Sequence, residues 1–323
     1  MTSFSLEMVR KELDNIHDVS YKEYKCGNQS FAIVFIESIA NTEIMSNFII
    51  KPLLLYKEDF RSAENVINHI ILLSSSSITD KLDNALTQVL NGNILIFFSS
   101  FSEVISCEVK GFDFRSIGNS ETETVIKGPR EGFVESLQIN ISSIRRRIKT
   151  PDLKIESFSV GKYSKTSVAM LYLEGSTPTE LIDYIKGKLK KIDTQNFVFY
   201  SNTLEEKLKA KWTPFDTIGY TEKPDIAASK IAECKVIVIF DGTPFSISVP
   251  YFFMENFMAT DDYTMNIFMG NIGRALRLAA FAMATLLPGF YLALVTHHFR
   301  LIPSIFLFKL AILRAGVPVP TVV

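Results

Sequence analysis

The stretch GPREGFVESLQINISSIRRRIKTPDLKI, residues 128–155, lies between two similar halves of the chain and predicts how they are joined. Its apolar residues recur at steps of three and four, which is the period of one helix face. These residues are Phe133, Leu137, Ile141, Ile144 and Ile148. Thr150 and Pro151 end a predicted helix of about five turns, because the residue before a proline disfavours helical backbone. We therefore expect an amphipathic connecting helix with one buried stripe.

The charges of this segment follow the helix dipole, with Glu131 at the predicted start and three arginines at the end. The arginines are Arg145, Arg146 and Arg147. Two interpretations of them remain open. In one, they form a solvated helix end; in the other, their guanidinium groups pair with carboxylates of a neighbouring subdomain or subunit.

The first half, residues 1–127, contains strands and helices in alternation. The apolar run 31–37 predicts a buried strand, and Asn41 or Thr42 can cap the helix that follows. Pro52 ends or kinks that helix, since proline lacks the amide proton of the helix ladder. A second helix stops at Asn91 and Gly92, and a further strand comes next.

The second half, residues 156–270, repeats this order with different residues. A strand at 166–174 precedes a helix that starts at 177–180, and a turn at Asp241 and Gly242 separates two later strands. The predicted fold class is therefore α/β: two similar small mixed-sheet α/β subdomains joined by an amphipathic helix, followed by a transmembrane helical segment.

The membrane region is predicted at 271–323, because no charged residue occurs over the 19 positions 278–296. A helix needs roughly 20 apolar residues to cross a bilayer. Interfacial anchors are expected at the flanks of the span. These anchors are Arg274, Arg277, Tyr291 and Arg300. A second apolar segment, 301–313, is predicted to be interfacial or re-entrant, and the ending GVPVPTVV indicates a truncated chain.

Composition argues against several function classes. The formal charge is -1, with 34 basic and 35 acidic residues, so no global field attracts nucleic acid. The three cysteines form no C-x-x-C pair, the four histidines suggest neither a triad nor a metal site, and no nucleophile motif occurs. We expect no enzyme, no cofactor, no metal and no nucleic-acid partner. The N-terminus has no secretory signal, which favours a cytoplasmic N-terminal domain.

Motifs spread from the middle of the chain to its end resemble the A subunit of GerA-type nutrient germinant receptors of endospore-forming bacteria. They follow the family's order from about residue 27 onwards. The motifs are GPREGFVES (128–136), IRRRIKTPDLK (144–154), VGKYSKT (160–166), DGTP (241–244), DDY (261–263), RALR (274–277), LPGFY (287–291), LIP (301–303) and GVPVP (316–320).

The resemblance implies a subunit of a spore inner-membrane complex that senses small nutrients with B and C partner subunits. It implies a cytoplasmic N-terminal region of two α/β subdomains, self-association, and a membrane part that assembles as an oligomeric ion channel. It does not imply an enzyme. Against this pattern, the chain is expected to be truncated after its first membrane span.

We expect the functional residues to couple subunits or subdomains to each other. We do not expect them to catalyse a reaction. In the connecting segment they are Arg130, Glu131, Arg145, Arg146, Arg147 and Pro151. Asp241, Gly242 and Pro244 are expected to form a turn that faces the membrane-proximal helix. The alternative function is a membrane-anchored sensor that binds a small nutrient directly in the cleft between its two subdomains.

Overall fold

The structure of the chain is a computed structural model with two compact units, Met1–Phe253 and Met254–Val323. The expected boundary at 270/271 therefore lies inside the second unit. The described residues are 5–14, 16–26, 29–109, 111, 123, 128–192, 201–210, 213, 215–263 and 266–297, with the single positions 303, 305, 308, 309 and 312.

The first subdomain is a five-stranded sheet in the order β1-β2-β4-β5-β3. Its strands are β1 (Val19–Cys26), β2 (Gln29–Ile36), β3 (Ser76–Thr79), β4 (Asn93–Phe98) and β5 (Val104–Glu108). Its helices are α1 (Leu6–Glu12), α2 (Thr42–Met45), a π-helical turn (Ser46–Ile50), α3 (Lys51–Leu55), α4 (Ala63–His69) and α5 (Leu82–Leu90).

The second subdomain repeats this topology in the order β6-β7-β9-β10-β8. Its strands are β6 (Leu153–Val160), β7 (Thr166–Leu173), β8 (Gly219–Thr221), β9 (Val236–Phe240) and β10 (Ser246–Val249). Its helices are α6 (Leu137–Arg145), α7 (Thr179–Ile192), α8 (Ser201–Leu208) and α9 (Pro224–Ala232). Numbered along each half, the five strands occupy the same places in both sheets, which confirms the predicted pair of similar subdomains.

All described strand pairs are antiparallel, so the expectation of mixed sheets is wrong in this respect. Only a few residues separate β1 from β2, β6 from β7 and β9 from β10 in the chain. Connections this short allow only antiparallel pairing, because a parallel pair needs a crossover of a dozen or more residues.

Helices cover both faces of each sheet, which explains why the central strands are apolar at successive positions. In β7, Val168 and Met170 belong to the core that includes α7 and α8, whereas Ala169 and Leu171 belong to the core that includes α6 and α9. The first sheet has two such cores as well. Side chains of a strand alternate between faces, so both sets are buried.

The helix α6 is nine residues long and starts at Leu137, not near Phe133 as predicted. The preceding residues are extended because they have other partners. The Phe133 amide donates to the Glu222 carbonyl at 2.7 Å, and the Asn140 side chain bonds both the amide and the carbonyl of Val134. Phe133 and Ile144 still share one core with the second sheet. The predicted connector is thus a helix of the second subdomain, and β6 already begins inside the predicted linker.

The proline at position 52 does not end its helix, contrary to one expectation. Asn41 caps α2 as predicted, with its side-chain oxygen 3.0 Å from the amides of Glu43 and Ile44. A π-helical turn follows, and Pro52 lies in the first turn of α3. The Phe48 carbonyl, which an amide at position 52 would bind in an α-helix, instead accepts from the Leu72 amide at 3.2 Å.

The second unit contains α10 (Ile267–Thr296), which begins well before the predicted span at 278. The Asn266 side chain accepts from the Phe268 amide at 3.2 Å and caps this helix. The helical stretch 267–294 is long enough and apolar enough to cross a membrane. Arg300 and most of the predicted segment 301–313 lie outside the described residues.

Candidate functional site

Among the described residues, three polar contacts connect the loop between α1 and β1 of the first subdomain to the second subdomain, and we call this set of contacts the joint. The Arg145 guanidinium donates to the Asp18 carboxylate at 2.9 Å. The Lys154 ammonium donates to the Asp14 carbonyl at 2.7 Å, and the His17 amide donates to the Ile155 carbonyl at 3.2 Å. The loop between α1 and β1 therefore meets the end of α6 and the start of β6.

The most deeply buried charge of the joint is Arg145, whose side chain is 0% exposed. Besides Asp18, its guanidinium donates to the carbonyls of Leu153 at 3.2 Å and Thr150 at 3.5 Å. Asp18 accepts a second hydrogen bond from the Ser38 hydroxyl at 3.0 Å. The interpretation of a solvated helix end is wrong for this arginine, since its carboxylate partner belongs to the other subdomain of the same chain.

The other two arginines bind one carboxylate, Glu131, and we call this group the clamp. Arg146 and Arg147 each donate to one oxygen of Glu131, with side chains about one-fifth exposed. Arg147 also donates to the Ser143 carbonyl at 2.6 Å. Burial raises the pKa of Glu131, but the hydrogen bonds and charges of Arg147 and Arg146 outweigh it and lower that pKa overall. The clamp ties the extended segment before α6 to the end of that helix.

The turn after β9 holds the other end of α6. The Asp241 carboxylate accepts from the Leu137 amide at 3.0 Å, and the Gly242 amide donates to the Glu135 carbonyl at 2.8 Å. Gly242 has φ of 86°, a backbone conformation that favours glycine. A carboxylate at a helix N-terminus is stabilising, so this turn positions the helix that carries the arginines.

Three further predicted coupling residues have less specific surroundings. Arg130 and Pro244 are exposed, and Pro151 is half-buried in the turn before β6. Their coupling role stays a prediction, as does the expected orientation of the Asp241–Pro244 turn toward the membrane-proximal helix.

The second unit has its own arginine–aspartate cluster, which we call the elbow. Arg277 donates to both oxygens of Asp262 at 2.8 Å, and Arg274 donates to one of them at 3.3 Å. The Ala259 amide donates to the same carboxylate at 3.0 Å. Hydrogen bonds from Arg277 are the main reason that the pKa of Asp262 lies well below its usual value, despite the opposing effect of burial.

Two glycines of α10, Gly270 and Gly273, lie next to the elbow. A Cβ on Gly270 would be 3.4 Å from the Asp262 carbonyl oxygen, and one on Gly273 would be 3.3 Å from the Arg277 guanidinium. The sequence predicted Arg274 and Arg277 to be interfacial anchors. In the structure, both guanidinium groups donate hydrogen bonds to the buried Asp262 carboxylate. The anchoring role of Tyr291, which is 38% exposed on α10, stays a prediction.

A cavity of about 450 Å³ lies within the first subdomain, whereas the sensor hypothesis places a ligand between the subdomains. It is lined by Phe31, Phe98, Phe101, Glu23 and Glu103, among others. No group of three or more His, Cys, Asp or Glu that could hold a metal ion occurs among the described residues. The three cysteines are free thiols, and burial raises the pKa of Cys107 to about 11.

Sequence reasoning singled out the arginines of the joint but missed its acidic partner. Asp18 lies 127 residues before Arg145, and no local pattern marks it. The available signal was its position: a lone carboxylate immediately before the strand that starts at Val19. The Asp14 carbonyl, which accepts from Lys154, is a backbone group, so no side-chain pattern could predict it.

Comparison with known proteins places this geometry in one family. Residues 7–323 match the family model described as Bacillus/Clostridium GerA spore germination protein. The chain is 31% identical over 322 residues to uncharacterized membrane protein YfkQ of Bacillus subtilis (strain 168), which covers 99% of this chain and 63% of YfkQ. It is also 31% identical over 320 residues to spore germination protein KA of the same strain, covering 97% and 59% of the two chains.

A solved structure is also similar: the N-terminal domain of the A subunit of the Bacillus megaterium spore germinant receptor GerK3. The TM-score is 0.57 at 25% identity, and the match covers 77% of this chain and 94% of the other. The chain spans about three-fifths of the length of the curated relatives named above. From the family match over nearly its whole length, the chain belongs to the GerA family of spore germination proteins.

Proposed function

We propose that this chain is the A-type subunit of a nutrient germinant receptor and passes a signal between its soluble subdomains and a membrane. Support for the subunit class comes from the similarity to the A-subunit domain of GerK3, of which 94% is covered. Support for a membrane attachment comes from α10, which is long and apolar enough to cross a bilayer.

The proposal includes B-type and C-type partner subunits, self-association, and an ion channel formed by the oligomer in the spore inner membrane. A conducting path needs several helices around a polar lining. One candidate span is found among the described residues, so conduction is assigned to the assembled complex and not to α10 alone. In this proposal, the unit that contains the two sheets lies in the cytoplasm.

The observation that carries the proposed signalling mechanism is the buried joint between the sheets. A conformational signal requires a unit with two discrete states that a ligand or partner can bias. Because Arg145 and Asp18 are both buried and bonded to each other, relative motion of the subdomains would separate a desolvated ion pair. The two sheets therefore respond to a partner subunit as one body and transmit movement along the chain toward α10.

Spore germination tests the function and the mechanism separately. In the organism that encodes the chain, deletion of its gene should abolish the germination response to at least one nutrient, measured as loss of optical density. An Arg145→Met allele should reduce the response to the same nutrient. The exposed Lys209–Asp216 pair supplies the control, since Lys209→Met should leave the response unchanged.

A deletion strain that responds normally to every amino acid and sugar tested would contradict the germinant role. If deletion removes the response but Arg145→Met germinates normally with wild-type amounts of the protein, the role stands and the joint mechanism fails.

A further inference from the structure

We propose that an exposed aromatic cluster of the second subdomain rests on the surface of the bilayer that α10 crosses. The cluster, which we call the aromatic end, consists of Phe215, Phe252 and Phe253. Their exposed fractions are 59%, 58% and 40%. Soluble surfaces seldom expose neighbouring large aromatic side chains, and such patches mark interaction sites. This inference rests on α10 spanning a membrane and is independent of the germinant role.

The aromatic end is a fixed surface built from two separate segments of the chain. The rings of Phe215 and Phe253 meet edge to face, with centroids 5.2 Å apart. Between them, the Tyr251 amide donates to the Thr217 carbonyl at 3.0 Å. A Cβ on Gly219 would lie 2.4 Å from the Tyr251 ring, so this ring takes the space of a side chain. The two segments are therefore locked together beneath the exposed rings.

The length of the connecting chain argues that the partner is the membrane. From Phe253 to the first residue of α10, Ile267, there are 267 − 253 = 14 residue steps. Fully extended, 14 steps reach about 50 Å, and two 3-10 helices within this segment shorten that reach. The covalent connection therefore keeps the aromatic end within about 50 Å of the first residue of α10, which leaves a bilayer crossed by α10 within its reach.

Two ion pairs lie beside the aromatic end among the described residues, and paired charges favour apolar insertion over binding of lipid charge. Lys235 pairs with Glu233 at 3.3 Å and lies 5.8 Å from the Phe252 ring. Beside Phe215, Asp216 pairs with Lys209 at 3.1 Å. Exposed phenylalanine side chains can insert at the boundary between headgroups and acyl chains, and the burial of apolar area there does not require anionic lipid. The lipid partner is therefore the interfacial layer itself, whatever its headgroup.

The same sheet provides a matched control at its opposite end. In the sheet, Val249 pairs with Val236 and Val168 pairs with Phe240, so β10 ends away from the β6–β7 hairpin. Tyr163 lies in that hairpin and is 62% exposed, much like Phe252. If exposure alone caused lipid contact, Tyr163 and Phe252 would behave alike.

Photo-crosslinking of the full chain in phosphatidylcholine nanodiscs tests the inference. The photoreactive residue p-benzoylphenylalanine is introduced in place of Phe252 or Tyr163, and adducts are identified by mass spectrometry after irradiation. We expect several-fold more lipid adduct at position 252 than at position 163. Equal yields at the two positions, or adducts at 252 that join two copies of the chain instead of lipid, would overturn the proposal.

The lipid composition then distinguishes the two modes of membrane contact. Replacing a third of the phosphatidylcholine with an anionic phospholipid should leave the adduct yield at position 252 unchanged, because the neighbouring ion pairs are balanced. A lipid adduct that forms only with anionic phospholipid would overturn the apolar mode proposed here. Both variants alter exposed side chains, and equal thermal stability to the parent chain verifies that each is folded.

Discussion

The joint and the elbow both pair arginine with aspartate, but the joint buries both partners and the elbow buries only the aspartate. In the joint the Arg145 side chain is 0% exposed and its partner Asp18 is 6% exposed. In the elbow Asp262 is 2% exposed, whereas Arg274 and Arg277 are 37% and 38% exposed. A half-exposed guanidinium is hydrated when its partner is lost, but a fully buried one is not. Removing the carboxylate should therefore cost more stability in the joint than in the elbow.

The largest effect is expected at the joint, from the substitution Asp18→Asn. It leaves the buried Arg145 cation without its charged partner, which costs about 3–5 kcal/mol for a buried pair. The measurement is urea-induced unfolding of the full chain in micelles, followed by circular dichroism. As a matched control, Asp216→Asn breaks an exposed pair and should cost at most about 1 kcal/mol. Equal effects of the two substitutions would contradict this account of the joint.

A double substitution separates charge from packing at the joint. Asp18→Leu with Arg145→Met removes both charges and keeps apolar volume, so most of the stability lost in Asp18→Asn should return. Replacement of buried ion pairs by apolar residues is often neutral or stabilising. The free energy of unfolding of the double variant, set beside that of Asp18→Asn, checks this. A double variant as unstable as Asp18→Asn would show that the uncompensated charge is not the cause.

A smaller effect is expected at the elbow, from Asp262→Asn. The amide keeps some of the hydrogen bonds, and water can reach the half-exposed Arg274 and Arg277, so the expected loss is about 1–2 kcal/mol. Hydrogen exchange of the amides in the first turns of α10 measures it. Protection that does not change would show that the carboxylate does not hold this helix end.

The pH dependence of the elbow follows from the lowered pKa of Asp262. The usual pKa of this carboxyl is 3.8, and hydrogen bonds from Arg277 lower it in the folded chain. A lowered pKa contributes stability that is fully present above about pH 4 and is lost as the pH falls through the folded pKa. The difference in hydrogen-exchange protection between the parent chain and Asp262→Asn, measured in the first turns of α10, should therefore be equal at pH 7 and pH 5. A difference that shrinks between these values would contradict the assigned ionisation.

The smallest effect is expected at the clamp, from Glu131→Gln. Its three side chains are each about one-fifth exposed, so water screens the charges and the loss should be about 1 kcal/mol or less. The pKa of Glu131 is lowered below its usual 4.5, so this contribution too disappears only in acid. Urea unfolding at pH 7 measures the loss. A loss as large as that of Asp18→Asn would show that the partly exposed clamp stabilises the fold as much as the buried joint does, which would contradict this ranking.

Sequence patterns predicted the parts of the fold that local physics determines. The long apolar runs at β2 and β7, the cap at Asn41 and the turn at Asp241 and Gly242 all depend on residues close in the chain. The repetition of these signals was enough to predict two similar subdomains. The long uncharged stretch likewise predicted the apolar helix α10, although not its start.

Features that depend on distant residues could not be predicted in the same way. The helix α6 is shorter than its apolar period suggests, because Phe133 bonds to Glu222 and forms part of an extended segment. The short strands β3 and β8 have too few residues for a periodic signal. Pairing of the arginines with carboxylates was one of two interpretations that the sequence left open, and the position of Asp18 depends on the packing of two sheets.

Hydrogen exchange under native conditions tests most directly whether the joint couples the two sheets. If it does, the amides of β2 and β4 should exchange with the same opening free energy as those of β7 and β9. In Asp18→Asn the two sets should separate, with one sheet opening before the other. Different opening energies in the parent chain, or an equal shift of both sets in Asp18→Asn, would contradict the claim that the buried Arg145–Asp18 pair makes the two subdomains one body.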